Sequence, residues 1–177
     1  FIARTYGVMA RTQRVPLRFA VNRILAEDIV AATDLPGFDA AAMDGFALRG
    51  EDLADGHTTM LRIIGTARAG HPFAGHMKAG EAVRIFTGAV VPSGADRVVM
   101  QEDCRVGGTA VAVTVPRAGK RHIRKRGEDV TAGDAVVAAG TRLGAGHVAL
   151  LSGLRMTSLI MRRKLRVALI STGDELS

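Results

Sequence analysis

Short apolar runs separated by glycine dominate the hydrophobic pattern of the chain. Runs of about four to eight residues that are rich in β-branched residues and bounded by turn residues are typical of strands. The pattern predicts strands at Ile29–Ala32, Leu61–Ile64, Ala82–Phe86 and Ala135–Ala138, with a glycine-rich loop at 69–80. We therefore predict a mainly β protein with short helices, in the α+β class.

The clearest local prediction is a β-hairpin around Gly107 and Gly108. Valine-rich segments flank these glycines at Arg97–Val106 and Thr109–Val115. Glycine adopts a positive φ without steric cost, and tight hairpin turns require that conformation. We therefore expect the two segments to pair as antiparallel strands.

Helical spacing of apolar residues occurs in two segments. Pro16–Ala26 begins with a proline suited to a first helical turn, and Gly146–Leu154 has apolar residues on one face. Gly153 lies where a glycine commonly ends a helix. We predict short helices in both segments, and a helix is also compatible with Phe1–Arg14.

A longer apolar run lies near the end of the chain, at Leu165–Ser171, and is followed by Thr172-Gly173-Asp174-Glu175. The run has the length of a buried strand. A buried strand followed by such a loop is typical of an open α/β domain, which binds ligands at the carboxyl ends of its strands. The chain stops as that loop begins, so we expect the start of a truncated α/β domain.

Composition narrows the classes of protein that fit the pattern. The 177 residues are 47% hydrophobic, enough for one sizeable core or two small ones. The chain begins at Phe1 rather than methionine, so we expect its true N-terminus to be missing. It shows no signal peptide and no apolar segment of membrane-spanning length. A single cysteine, Cys104, cannot form an internal disulfide and fits a reducing compartment.

The net charge of +7 favours anionic partners, such as phosphate esters, oxyanions or nucleic acid. The strongest cluster is Lys120–Arg126, in which Arg124 and Arg126 share one face if the segment is extended. Arginine pairs bidentately with phosphate, so this run either binds a phosphate or is a solvated loop. Aromatic residues make up only 4% of the chain, which weighs against single-strand nucleic-acid binding.

The segment Pro36–Leu48 carries Asp39 and Asp44 among small or apolar residues. Its dipeptides Pro36-Gly37 and Asp44-Gly45 are turn signals. A carboxylate on such a turn can point at a ligand, or it can bond the backbone of its own turn. From the segment alone, both interpretations remain open.

Five blocks in order resemble the N-terminal half of the molybdopterin molybdenumtransferases, the MoeA and gephyrin E-domain family. In that family a DGYA-like block precedes a TGA block, a P-x-GAD-x-VV block, an R-x-x-GED block and a V-A-x-x-STGDEL block. The corresponding segments here run from about Val15 to Ser177 and contain Asp44–Ala47, Thr87–Ala89, Ser93–Glu102, Arg124–Gly133 and Val167–Leu176.

The resemblance implies a fold of two β-rich subdomains built of bent, coiled sheets, one inserted in the other. Residues 1–29 and 134–163 would form the base subdomain, and residues 30–133 the inserted one. Residues 164–177 would start a truncated pterin-binding α/β domain.

The resemblance also implies an activity. The full enzyme would insert molybdenum from molybdate into adenylylated molybdopterin, releasing AMP, with Mg²⁺. It would be a cytoplasmic homodimer with the active site between subunits, with molybdopterin adenylyltransferase as a possible partner and without nucleic acid or membrane. We expect the 177-residue chain alone to be inactive. The site residues implied are catalytic Asp44 and Thr87, phosphate-binding Arg124, Arg126 and Thr172, and metal-binding Asp174 and Glu175.

Two positions depart from the family pattern. Phe46 replaces the usual tyrosine, so no hydroxyl role carries over, and His122 replaces an asparagine before the basic run. Two alternative functions remain open. In the first alternative the chain is a basic nucleic-acid-binding module, which predicts salt-dependent oligonucleotide binding. In the second it is a dimerisation scaffold without chemistry of its own, which predicts that Asp44 is dispensable.

Overall fold

A computed structural model describes residues 11–165 and residue 168. These residues form two compact units, one of residues 32–132 and the other of the remaining described residues on both sides. The strand predicted at Leu165–Ser171 lies outside the described residues except for Leu165 and Ala168, and so do Thr172, Asp174 and Glu175.

Strands make up most of the regular structure of the described residues, as the apolar pattern predicts, and one α-helix accompanies them. The elements are β1 (Thr12–Pro16), β2 (Ile29–Val30), β3 (Ala40–Ala41), β4 (Gly45–Leu48), β5 (Thr59–Ala67), β6 (Glu81–Ile85), β7 (Arg97–Met100), β8 (Cys104–Gly107), β9 (Ala110–Val113), β10 (Ile123–Arg124), β11 (Ala135–Val137), α1 (Ala145–Gly153) and β12 (Ser158–Arg162).

A six-stranded sheet in the order β7-β4-β6-β5-β9-β8 forms the centre of the unit of residues 32–132. Strands β5 and β6 are parallel, and the other neighbours are antiparallel. In the same unit, β3 pairs with β10. The predicted strands at 61–64 and 82–86 are confirmed as β5 and β6, although β5 is longer than predicted.

Strand alternation gives this sheet a hydrophobic cluster on each face. Along β4, Phe46 and Leu48 belong to one cluster and Ala47 to the other. Along β6, Ala82 and Val83 divide in the same way. Successive side chains of a strand point to opposite faces, and with a cluster on each face β4 is buried throughout. The first residue of β4 therefore provides a fixed base for the residue that precedes the strand.

The predicted hairpin is confirmed as β8 and β9, in which Gly107 pairs with Ala110. Only one of the two glycines, Gly108, has a positive φ, at 59°. The single long strand predicted at 97–106 is wrong. A 3-10 turn at Gln101–Asp103 divides it, because three consecutive polar residues interrupt the apolar run, and β7 and β8 lie at opposite edges of the sheet.

The other unit contains the antiparallel pairs β1–β12 and β2–β11, together with α1. Its core includes Val15, Leu25, Leu151 and Leu159, all buried. The helix predicted at Gly146–Leu154 is confirmed as α1, and the strands predicted at 29–32 and 135–138 are confirmed as β2 and β11. Within the described part of the chain, no helix has the length and apolar character to cross a membrane.

The helix predicted at Pro16–Ala26 is wrong. The helix that was compatible with Phe1–Arg14 is also wrong for residues 12–14, which belong to β1. Only Leu17–Phe19 forms a 3-10 turn. The amides of Leu25 and Ala26 donate instead to carbonyls more than a hundred residues away, those of Thr141 and Ile160. Long-range backbone pairing has therefore overridden the helical spacing of the side chains.

Candidate functional site

The geometry of the Asp44-Gly45 turn is fixed by a close approach of two strands. Gly45 opens β4 and pairs with Met100 of β7. A Cβ atom at Gly45 would lie 1.8 Å from the carbonyl oxygen of Val99. Only glycine fits there, so this glycine sets the position of the neighbouring Asp44 side chain.

Asp44 binds Thr87 through two short hydrogen bonds. The Thr87 backbone N–H and its hydroxyl both donate to Asp44 Oδ1, each at 2.7 Å. The Thr87 N–H, followed by the Thr87 hydroxyl, holds the pKa of the Asp44 carboxyl below its usual value. Asp44 is therefore a carboxylate at neutral pH. Both hydrogen bonds that its side chain makes with described residues go to Oδ1, which leaves Oδ2 for a ligand.

The Thr87-Gly88-Ala89 turn is joined to the segment before Asp44. The Gly88 N–H donates to the Ala41 carbonyl and the Ala41 N–H to the Ala89 carbonyl, both at 2.9 Å. Gly88 has a φ of 79°, a conformation that favours glycine. The structure thus brings together the two residues that were predicted as catalytic, Asp44 and Thr87.

A cavity of about 510 Å³ opens beside this pair, and its wall is formed by Met43, Asp44, Thr87, Met100, Gln101 and Glu102. The sequence interpretation missed Gln101 and Glu102 as site residues. A signal was present, because these two polar residues directly follow the apolar β7 strand. The Gln101 N–H donates to the Asp44 carbonyl at 3.0 Å, which fixes the 3-10 turn against the Asp44 segment.

Arg84 orients the Gln101 side chain. Its Nη2 donates to Gln101 Oε1 at 2.6 Å, so the Gln101 amide nitrogen faces Glu102, whose Oε1 lies 3.3 Å away. The Arg84 guanidinium also lies over the rings of Phe46 and Phe86, at 4.9 and 5.3 Å from their centroids. Phe46 is thus a buried support for Arg84, which explains how this position serves the site without a hydroxyl.

Two of the predicted phosphate-binding residues, Arg124 and Arg126, pair with carboxylates. Arg124 Nη2 lies 2.6 Å from both carboxylate oxygens of Asp129. Arg126 Nε donates to Asp34 Oδ2 at 2.5 Å, and the second Asp34 oxygen accepts the Ala132 N–H. None of these contacts is with Asp44 or Thr87.

Asp39 also bonds the basic run rather than its own turn. Its Oδ2 accepts from Lys125 Nζ at 2.5 Å and its Oδ1 from the Arg126 N–H at 2.9 Å. The interpretation that both Asp39 and Asp44 bond their own turns is therefore wrong for both residues. Their partners lie 86 and 43 residues further along the chain.

Cys104 packs against the cluster that contains Phe46 and Val113. Burial of the thiol, followed by the negative charge of Asp103, raises its pKa to about 11. This cysteine therefore behaves as a small hydrophobic residue.

The described residues contain no group of three or more His, Cys, Asp or Glu side chains placed to hold a metal ion. The predicted ligands Asp174 and Glu175 lie outside the described residues.

Fold and site together define a class: a mainly β chain that presents a carboxylate–threonine pair from two strand-end turns beside a cavity. A family model described as "MoeA N-terminal region (domain I and II)" matches residues 2–154. The chain belongs to this MoeA N-terminal family.

Relatives and solved structures agree with this assignment. The chain is 40% identical over 168 residues to the molybdopterin molybdenumtransferase of Haemophilus influenzae, covering 94% of this chain and 41% of that protein. It is 38% identical over 169 residues to the protein of the same name from Nostoc sp., covering 93% and 38%. The chain therefore spans about two fifths of the length of these curated relatives.

A crystal structure of the molybdopterin biosynthesis MoeA protein from Pyrococcus horikoshii matches with a TM-score of 0.81 and 38% identity. The match covers 87% of this chain and 41% of that one. This similarity supports the mainly β fold independently of the motifs.

Proposed function

We propose that the chain is the N-terminal part of a molybdenum cofactor biosynthesis enzyme that inserts molybdenum from molybdate into adenylylated molybdopterin and releases AMP. The observation that carries the proposal is the Asp44–Thr87 pair at the edge of an open cavity, in a chain whose relatives are named molybdopterin molybdenumtransferase.

Asp44 acts in this proposal as a fixed negative charge rather than as a general base. A carboxylate whose pKa is lowered by two hydrogen bonds is a weak proton acceptor at neutral pH. With Oδ1 held by Thr87, Oδ2 can orient a hydrogen-bond donor of the substrate or a water molecule. Thr87 thereby keeps Asp44 charged and in place.

Arg124 is better placed than Arg126 to bind a phosphate group. The side chains of Arg124 and Asp129 are 45% and 46% exposed, so a phosphate can replace that carboxylate. The Asp34 partner of Arg126 is only 12% exposed and also holds the Ala132 amide, which supports a structural role for Arg126. Thr172 stays a proposed phosphate-binding residue.

The remaining parts of the proposal come from the family resemblance. They are use of Mg²⁺, with Asp174 and Glu175 among its ligands, a homodimer with the active site between subunits, molybdopterin adenylyltransferase as a partner, and a cytoplasmic location. We also propose that the unit of residues 32–132 is the inserted subdomain and that the other unit is the base.

Substitution of Asp44 by asparagine in the full-length enzyme tests the proposed role. Asparagine still accepts both Thr87 hydrogen bonds through its carbonyl oxygen but carries no charge. We expect normal folding and a loss of activity of roughly a hundredfold or more, measured as conversion of adenylylated molybdopterin. Asp52→Asn is the matched control, because among the described residues the Asp52 side chain bonds only the Gly80 amide. Full activity of Asp44→Asn would support the scaffold alternative instead.

Subunit mixing tests whether the site is shared across a dimer. Mixed dimers of an Asp44→Asn subunit and a Glu175→Gln subunit contain one intact site only if the two residues act from different subunits. We expect partial recovery of activity in such dimers. Absence of recovery, with mixed dimers shown to form, would contradict the shared site and leave the role of Asp44 intact.

A further inference from the structure

A second cavity, of about 450 Å³, adjoins the Asp44 cavity and shares Met43 and Met100 with it. Volumes of this size are typical of sites for small molecules. Apolar side chains form much of its wall, among them Val115, Pro116 and Ala118. Such a wall favours a ligand with an apolar body.

The loop of residues 116–122, which forms one side of this cavity, is anchored by a buried arginine. Arg97 is only 5% exposed. Its Nη1 donates to the Pro116 carbonyl at 3.0 Å, and its Nη2 donates to the carbonyls of Arg117 and Gly119 at 2.6 and 3.3 Å. The loop is therefore held in position before any ligand arrives, which lowers the entropic cost of binding.

The same loop places unpaired polar groups at the cavity. Lys120 and His122 both line it, and neither side chain has a hydrogen-bond or ion-pair partner among the residues of the described ranges. Three basic residues further along the chain differ from Lys120, because each forms an ion pair with a carboxylate. They are Arg124, Lys125 and Arg126. The positive charge of Lys120 is thus available to a ligand without breaking an ion pair.

We propose that this cavity is a binding subsite for a small organic anion with an apolar body. Lys120 and His122 hold the anionic group, and the apolar wall from Met43 to Ala118 holds the body. Asp103, which also lines the cavity, accepts a hydrogen bond from an N–H or O–H of that body. The assignment of this cavity as a subsite of the enzyme rests on the proposed function, whereas the binding of an organic anion in the cavity does not.

Binding of three probes to the 177-residue chain tests the proposal. AMP carries both an anionic group and a body whose purine faces can pack on an apolar wall, adenosine carries only the body, and inorganic phosphate carries only the anion. By isothermal titration calorimetry at low ionic strength, we expect AMP to bind at least fivefold more tightly than either of the others. Equal affinity for AMP and phosphate would overturn the proposal, because the body would then contribute nothing.

Three single-residue variants test whether AMP binds in this cavity. We expect Lys120→Ala to weaken AMP binding roughly tenfold, the usual effect of losing a hydrogen bond to a charged group. Lys78→Ala removes another exposed lysine of the same unit and should leave affinity unchanged. Ala118→Phe adds volume at an exposed position of the lining and should abolish binding. Unchanged AMP affinity in Lys120→Ala and Ala118→Phe would overturn the subsite while leaving the Asp44 test of activity unaffected.

Discussion

Gly45 shows how a single residue without a side chain determines the position of a site residue. Since a Cβ atom there would lie 1.8 Å from the Val99 carbonyl oxygen, Gly45→Ala must push β4 away from β7. We expect a loss of more than about 2 kcal/mol in the free energy of unfolding, measured by urea denaturation. Gly107→Ala is the control, because a Cβ there meets no atom within 4 Å, and an equal loss in both variants would contradict the explanation.

The backbone conformation at His122 explains why histidine can stand where the family pattern has asparagine. Its φ is 49°, in the left-handed region where asparagine and histidine are enriched. The Ala42 N–H donates to its backbone carbonyl at 2.9 Å. The position is therefore determined by backbone conformation, which asparagine and histidine both tolerate, and the histidine side chain remains free to line the adjacent cavity.

For individual residues, the sequence predicts membership of a site better than it predicts the hydrogen-bond and ion-pair partners of each residue. Asp44 and Thr87 stand out because each lies beside a glycine turn in a recognisable block. The acids that neutralise Arg124 and Arg126 could not be assigned, because any of several carboxylates can be brought to a basic run. Asp34, the partner of Arg126, is 92 residues away in sequence.

Among the elements, the segment that follows β10 is held by carboxylates in addition to its backbone hydrogen bonds with Leu35 and Pro36. Asp39 accepts the Arg126 N–H and Asp34 accepts the Ala132 N–H. Side-chain bonds with Lys125 and backbone bonds with Arg126 lower the pKa of Asp39, and the Ala132 N–H and Arg126 lower that of Asp34. The charged form of both acids is therefore the form that holds the segment.

This arrangement predicts that the two carboxylate contacts with the segment are lost on acidification. A carboxyl group with a lowered pKa contributes its stability fully above its ordinary value of about 3.9 and loses it as the pH falls through the lowered value. We expect the Arg126 and Ala132 amide resonances to shift together below about pH 4 in an NMR titration.

Asp39→Asn provides the control for that titration. It should remove the pH-dependent shift of Arg126 and leave that of Ala132, because only Asp39 bonds the Arg126 amide. Titration of both amides with an ordinary midpoint, near 3.9, would contradict the proposed cause.

Elements with a local signal were predicted well, and elements made by distant pairing were not. Short apolar runs predicted β5, β6, β9 and β11, and the Gly107-Gly108 pair predicted the hairpin. The segment at 16–26 has helical spacing, yet its amides pair with residues near 141 and 160. A local pattern carries no information about such partners, and it also cannot show that β7 and β8 lie at opposite edges of one sheet.

For the molecule as a whole, separate hydrophobic cores predict separate responses to mutation. Leu151, at the centre of the core that contains Leu25 and Leu159, is fully buried. Leu151→Ala should lower the stability of that unit by about 2–5 kcal/mol. Hydrogen exchange should then increase in β1 and β12 but not in β4 and β6, whose clusters share no residue with it. Equal acceleration in both groups of strands would contradict separate cores.

The raised pKa of Cys104 has a practical consequence for site-specific labelling. Thiolate is the form that reacts with maleimides, and with a pKa of about 11 only a minute fraction of this thiol is ionised at pH 7. An exposed cysteine introduced elsewhere, with an ordinary pKa of about 8.5, would carry far more thiolate at the same pH. Fluorophores or spin labels can therefore be attached to chosen positions, such as the loop carrying Lys120, with the native cysteine left in place.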